Sequence, residues 1–239
     1  MKRTALHACA AAAVGAVALG GLPGVASAGQ HLPNPADFVH TIDNPYFPQK
    51  PGTTLIYTGV KDGRSARELL TVTNDRKVIL GISTVVIHDR LFLDGILHED
   101  TIDWYAQHRD GTVWYFGEAT RILDDKGRVL STEGSFEAGV DGARQGIFMP
   151  ADPQVGYTHH QEFYPGHAED QFKVLDLSSA VSVPYGTFQH ALLTQETTQL
   201  EPTVLSHKYF VKGIGTVREI DVRGSDEHLE LVKIVNDGV

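Results

Sequence analysis

From residue 53 onward, apolar and polar positions alternate in short runs broken by turn residues. A period of two marks strands with one buried face. Such runs fall at 54–60, 67–73, 77–82 and 84–93, with Lys61-Asp62-Gly63 and Asp94-Gly95 as punctuation. Further strands are predicted at 120–123, 128–130, 157–164, 172–177, 182–183, 188–196, 204–211, 215–222 and 229–234. Asp125-Lys126-Gly127, Pro184-Tyr185-Gly186 and Lys212-Gly213 supply turn chemistry between several of them. Residues 136–148 are glycine-rich and aperiodic, and read as a long loop. No sustained helical period interrupts this pattern. It predicts an all-β domain over 53–239, a single antiparallel barrel or half-barrel of lipocalin-like type.

The densest chemistry lies at 97–118, Leu-His-Glu-Asp-Thr-Ile-Asp-Trp-Tyr-Ala-Gln-His-Arg-Asp-Gly-Thr-Val-Trp-Tyr-Phe-Gly-Glu. His108-Arg109-Asp110-Gly111 is a turn between two strand-like runs. A four-residue loop pairs Gln107 with Thr112, Tyr105 with Trp114, Asp103 with Phe116 and Thr101 with Glu118. Cross-strand partners share a face. One face then carries Glu99, Asp103, Tyr105, Trp114, Phe116 and Glu118, a ligand-binding set of rings and carboxylates. The run Val113-Trp114-Tyr115-Phe116 is apolar on both sides, which suggests a sheet covered on both faces or a barrel with a lined interior. Acidic side chains are seldom buried, so Glu99 and Asp103 are expected near an open rim, facing water. Inside a barrel they would need pairing, hydration or a metal.

A second candidate lies downstream. In Tyr157-Thr158-His159-His160-Gln161-Glu162, strand alternation points His160 and Glu162 the same way. His167 and Glu169 follow Pro165-Gly166, and His207 sits on a late strand. Histidine with carboxylates suits zinc or iron, and carboxylates with water suit calcium or magnesium. His160, Glu162, His167, Glu169 and His207 are therefore candidate ligands for one divalent metal ion. No nucleophile elbow, His-Glu-x-x-His motif, EF-hand loop, P-loop or dinucleotide fingerprint is present.

The first 28 residues read as a secretory signal peptide. Lys2 and Arg3 precede a small-residue apolar stretch, and Ala26-Ser27-Ala28 forms an A-x-A cleavage site. Glycines and Pro23 interrupt that stretch, which argues against a retained anchor, and no other segment reads as a membrane span. Cleavage after Ala28 removes Cys9, the one cysteine, so neither disulfide nor thiolate chemistry is expected. It also takes the net charge from −10 to −12, because Lys2 and Arg3 leave with it. That balance disfavours nucleic acid and anionic lipid, and permits cationic ligands. Residues 29–52, with Pro33, Pro35, Pro45 and Pro48, form a proline-rich arm expected to wrap over the domain.

Several blocks carry a family likeness. They are Asp43-Asn44-Pro45-Tyr46-Phe47-Pro48, then Asp103-Trp104-Tyr105-Ala106-Gln107 with Gly111-Thr112-Val113-Trp114-Tyr115-Phe116-Gly117-Glu118, then Glu137-Ala138-Gly139-Val140-Asp141-Gly142-Ala143. Together they resemble a family of secreted bacterial proteins of unassigned function, over nearly the whole mature chain. The resemblance transfers no catalytic residue. The closing Lys208-Tyr209-Phe210…Gly213-Ile214-Gly215 is similar to the last strands of lipoprotein-carrier and lipocalin-like half-barrels, which implies that fold and an apolar cavity.

Three functions fit. The first is a secreted protein that binds a small molecule or ion in an aromatic and carboxylate-lined cavity. The second is a secreted metal-dependent hydrolase or oxidoreductase. The third is a cell-surface interaction module.

Overall fold

In many strands one parity of side chains is buried and the other is not, and antiparallel pairing brings the strands into a sheet that nearly closes upon itself. The computed structural model describes residues 33–236, so the signal-peptide reading of residues 1–28 lies outside the described part. The first meander contains β2 (Thr53–Lys61), β3 (Arg64–Ile79), β4 (Ile82–Leu93), β5 (Ile96–His108) and β6 (Val113–Leu123). Short pieces β7 (Val129–Ser131) and β8 (Phe136–Glu137) pair with β6, as does β9 (Arg144–Met149). The second meander contains β12 (Gln171–Val183), β13 (Gly186–Thr197), β14 (Leu205–Val211), β15 (Gly215–Arg223) and β16 (His228–Asn236). The antiparallel pair β16–β2 joins the two meanders.

The remaining pieces, β10 (Thr158–His160) and β11 (Glu162–Phe163), nearly complete the barrel. Only Gln161 separates them, yet β10 pairs with β12 and β11 pairs with β9. One short segment therefore ties both sheet edges. It passes so close that a Cβ on Gly146 would lie 2.1 Å from the Gln161 carbonyl oxygen. The all-β, barrel-type architecture expected from the alternation is the observed one. No helix among the described residues is long and apolar enough to cross a membrane.

Three hairpins explain the tightness of the first meander. Asp62-Gly63, Leu80-Gly81 and Asp94-Gly95 are two-residue loops with positive φ at both positions. That geometry matches the right-handed strand twist, and Gly meets it without steric cost.

Some expected boundaries differ. The two runs at 67–73 and 77–82 are one long strand, β3, with a bulge between Val72 and Arg76. The polar bulge residues Asn74 and Asp75 imitate a turn in sequence. The expected loop 136–148 contains β8 and β9, because β6 offers them a free edge to pair with. Tertiary pairing overrides a glycine-rich composition there.

The arm is described from Pro33. A short 3₁₀ turn, Pro35–Asp37, leads into β1 (Phe38–Val39), which pairs with the end of β5. Asn44-Pro45-Tyr46-Phe47 then turns inward. The Gln107 side chain accepts the backbone N–H groups of Asp43 and Asn44, both at 2.9 Å. The Asn44 amide donates to the carbonyls of Gly111 and Pro150. So anchored, Phe47 packs on Tyr105 and Phe148, with ring centroids 5.2 and 4.3 Å apart.

Candidate functional site

The inner face is not a uniform apolar core. Two apolar clusters fill it, one around Phe172, Leu192 and Phe210, the other around Leu93, Leu229 and Leu231. Against both lies a cavity of about 70 Å³. A single water needs about 10–15 Å³, so the space holds several waters or a small ligand. Each surrounding strand sends in a charged residue at the parity of its buried apolar neighbours: Glu68 on β3, Asp89 on β4, Asp103 on β5, Glu118 on β6. The wall is completed by Glu162, Asp170, Glu196 and Glu219, with Lys208 as the only basic residue lining it. Tyr57, Tyr105, Tyr115, Phe47 and Phe148 supply rings. A smaller adjoining hollow has Lys61, Glu99 and Glu227 and shares Glu68 and Asp89.

Eight carboxyl groups against one ammonium cannot all ionise in a buried space. Burial raises Asp103 to about 7, against the hydrogen bond from Tyr115, with Glu99 adding repulsion. Burial and then the Asp103 charge push Glu118 well above the usual carboxylate range. Glu162 rises likewise, from burial and then the charge of Asp170. Asp170 reaches about 7 through burial and the Glu196 charge. Burial also takes Glu68 and Glu99 to about 7. The two lysines behave oppositely. Burial would lower Lys208, but Glu196 and Glu219 outweigh it and hold its pKa above the ordinary lysine value. Glu227 does the same for Lys61.

The hairpin register differs from the expected one. Gln107 faces Val113, Ala106 faces Trp114 and Tyr105 faces Tyr115. A bulge then places Trp104 opposite Gly117 and Asp103 directly opposite Glu118. Asp103, Tyr105 and Glu118 thus line the cavity, while Tyr115 stands where Trp114 was expected. Trp114 and Phe116 point to the other side of the sheet. Phe116 is fully buried there with Trp104, Ala106 and Ile79, and meets the arm's Phe38 edge-on. Trp114 is half-buried at the margin of that cluster, over a hollow bordered by Phe38 and His108. The outer face of this hairpin is therefore covered too, which is why β6 is apolar on both sides. Glu99 and Asp103 are buried rather than set at a watery rim. Glu99 belongs to the smaller hollow.

A hydroxyl chain links these carboxyls. The Tyr115 Oη lies 2.5 Å from Asp103 Oδ1 and 2.8 Å from Glu118 Oε2. Thr120 donates to Glu118 Oε1 at 2.9 Å, and Thr101 and Thr120 are 3.0 Å apart. A phenol has one proton to donate. For both Tyr115 contacts to be hydrogen bonds, one carboxyl must be protonated and donate to the phenol oxygen. Geometry and burial thus agree that Asp103 and Glu118 share at least one proton.

The downstream candidates do not converge. His160 is exposed, against the Phe163 ring, whereas Glu162 is buried in the cavity wall. The change of pairing partner at Gln161 breaks the alternation that would have put them on one face. His167 is exposed and stacks on Tyr164. Glu169 accepts the Gly166 N–H at 2.9 Å, and His207 is half-buried on β14. No group of three or more His, Asp or Glu placed to hold a metal ion occurs among the described residues. Of the five, only Glu162 reaches the cavity.

Comparison with known proteins adds little. No family model matches the chain, and no curated protein matches it. Among solved structures, one named as an exported protein with a YmcC-like fold, from Bacteroides fragilis, superposes with a TM-score of 0.47 and 11% identity, covering 80% of this chain and 99% of that one. One named as a lipoprotein, from Parabacteroides distasonis, gives 0.41 and 10%, with the same coverages. Neither score carries an argument about function.

Proposed function

We propose that the protein is a secreted ligand-binding barrel whose interior cavity takes a small polar or cationic ligand. The observation that carries this reading is the lining: eight carboxyl groups and one lysine around an interior cavity, with aromatic rings beside them. Such a lining is costly to fold without a ligand that uses it, and native proteins seldom bury acids so densely. The signal-peptide reading of residues 1–28 supports secretion. Asp103 and Glu118 fix the polar group, and Tyr105 packs against the rest of the ligand. The small volume and acidic lining argue against a fatty acyl cargo.

The test is a thermal-shift screen of the mature protein against small cations, neutral isosteres and anions. A rise in melting temperature for cations alone is expected. Stabilisation by anions, or by apolar chains alone, would sink the reading.

A further inference from the structure

The interior already seats two ammonium groups of its own. Lys208 Nζ lies 2.9 Å from Glu196 Oε2 and 3.5 Å from Glu219 Oε2. Lys61 Nζ lies 3.1 Å from Glu227 Oε2. Both lysines are buried. The interior therefore holds ammonium by direct carboxylate contact, Lys208 in the cavity wall and Lys61 in the adjoining hollow.

A third acidic group differs from these two. Asp103, Glu118 and Glu162 line the same cavity. Among the described residues no lysine, arginine or histidine stands within salt-bridge distance of any of the three. Asp103 and Glu118 have only hydroxyl partners, from Tyr115 and Thr120. Glu162 is 4% exposed, and its Oε2 has no hydrogen-bond partner. A buried carboxyl oxygen with no donor costs about 1–3 kcal/mol or more, so this oxygen is the strongest pointer on the wall.

We infer that Asp103, Glu118 and Glu162 bind a primary ammonium group carried by a small alkylamine ligand, in the way Glu196 and Glu219 hold Lys208. This rests on the ligand-binding reading above and names its ligand class. An alkylammonium has three N–H donors, so it can satisfy Glu162 Oε2 while donating to another carboxyl of the same wall. A quaternary ammonium has none and would leave Glu162 Oε2 unsatisfied. A cavity of about 70 Å³ is under half of the ~150 Å³ that admits benzene, which limits the enclosed part to a few heavy atoms. The alkyl stem lies along Tyr105 and Tyr115, whose rings stack at 4.5 Å. A metal ion is the weaker fit, because no metal-type grouping occurs among the described residues.

Calorimetric titration of the mature protein tests this, with propylammonium, tetramethylammonium, n-propanol and calcium as chloride salts or neutral solute. Propylammonium is expected to bind at one per chain, with the other three weaker by about tenfold or more. Glu162→Gln should weaken propylammonium by about tenfold or more while the protein stays folded, since that oxygen holds no partner in place. If Glu162→Gln does not fold, Asp103→Asn serves instead, with folding checked by circular dichroism. Equal propylammonium affinity in a folded variant, or tighter binding of tetramethylammonium, n-propanol or calcium, overturns the ammonium assignment but leaves a ligand-binding cavity. Absence of binding for all four probes overturns both.

Discussion

Tyr115 and Glu118 stand three residues apart on one strand yet face the same cavity, with Oη and Oε2 2.8 Å apart. In a regular strand, residues at odd separation face opposite sides. The extra residue of the bulge at Phe116-Gly117 restores the shared face. Gly117 makes this possible. Its φ is 137°, and a Cβ there would lie 2.2 Å from the Phe136 carbonyl oxygen. Gly117→Ala should cost about 3 kcal/mol or more, from strain and backbone clash together. Gly127→Ala, in an open turn where a Cβ meets nothing, should cost only about 1 kcal/mol. Urea unfolding of both variants checks the contrast. Equal midpoints would mean that the bulge is not constrained as described.

Tyr115→Phe removes the one hydroxyl that Asp103 and Glu118 share. That hydroxyl lowers the pKa of both carboxyls. Without it, both hold their protons more tightly in the folded state. At about pH 8 the variant should lose about 1–3 kcal/mol, because a buried carboxylate then lacks its donor. At about pH 5 the loss should be smaller, since protonated carboxyls can donate to one another. Denaturant midpoints at the two pH values decide. Equal losses would show that no proton is shared.

The interior acids also set how stability depends on pH. Glu68, Glu99, Asp103 and Asp170 have folded pKa values of about 7. In the unfolded chain such groups titrate near 4. Between these values the folded state keeps protons that the unfolded state has released, so stability falls as pH rises through the window and levels off above it. His159 acts the other way. Burial lowers it to about 4, so its contribution is lost as pH falls from 6.5. One histidine against four carboxyls leaves the downward slope dominant. Without ligand, the melting temperature should drop by about 5 °C or more between about pH 5 and 8. A flat or rising curve would mean that the carboxyls are ionised and compensated.

The two sides of the hairpin should respond differently to substitution. Tyr105 lines the cavity, whereas Trp114 packs on the outer cluster. Tyr105→Ala should weaken propylammonium binding by about tenfold or more, through lost ring contact. Trp114→Ala should leave that affinity unchanged and cost only stability, about 1–3 kcal/mol for a half-buried ring. Calorimetry on both variants separates the faces. A Trp114→Ala variant that loses binding would restore the regular register.

How much of this was readable in the chain follows from the same alternation. Period two reveals the strands and therefore the barrel class. It also holds the interior acids, had parity been followed through each strand: Ile87, Asp89 and Leu91 share a face, as do Leu192, Thr194 and Glu196, and Ser206, Lys208 and Phe210. A charge in step with buried apolar residues is the signal. It is faint, because a charged strand residue ordinarily means the solvent face. The bulge at Gly117 is not legible by period, since it inserts one residue and reverses every later side chain. Asp103 and Tyr105 share the inner face by the alternation of β5 alone, and Glu118 joins them because the two errors of register, at the turn and at the bulge, cancel. Trp114 and Phe116 lie between those errors and were misplaced. The separation of His160 from Glu162 reflects a change of strand partner at Gln161, which no local pattern announces.

The resident lysine offers a last test of how this interior treats ammonium. Lys208→Ala removes the cation between Glu196 and Glu219 and leaves their charges without it. Breaking a buried pair in this way costs about 3–5 kcal/mol, because the remaining carboxylates stay desolvated. Beyond the Cβ that alanine keeps, the space vacated is the length of a propylammonium chain, so an added alkylammonium can take the side chain's place. Its stabilisation grows with the logarithm of concentration once the site is half filled. The melting temperature of Lys208→Ala should therefore rise with propylammonium and not with n-propanol of the same size. If the variant melts like the parent and neither solute moves it, an ammonium is not what this wall requires.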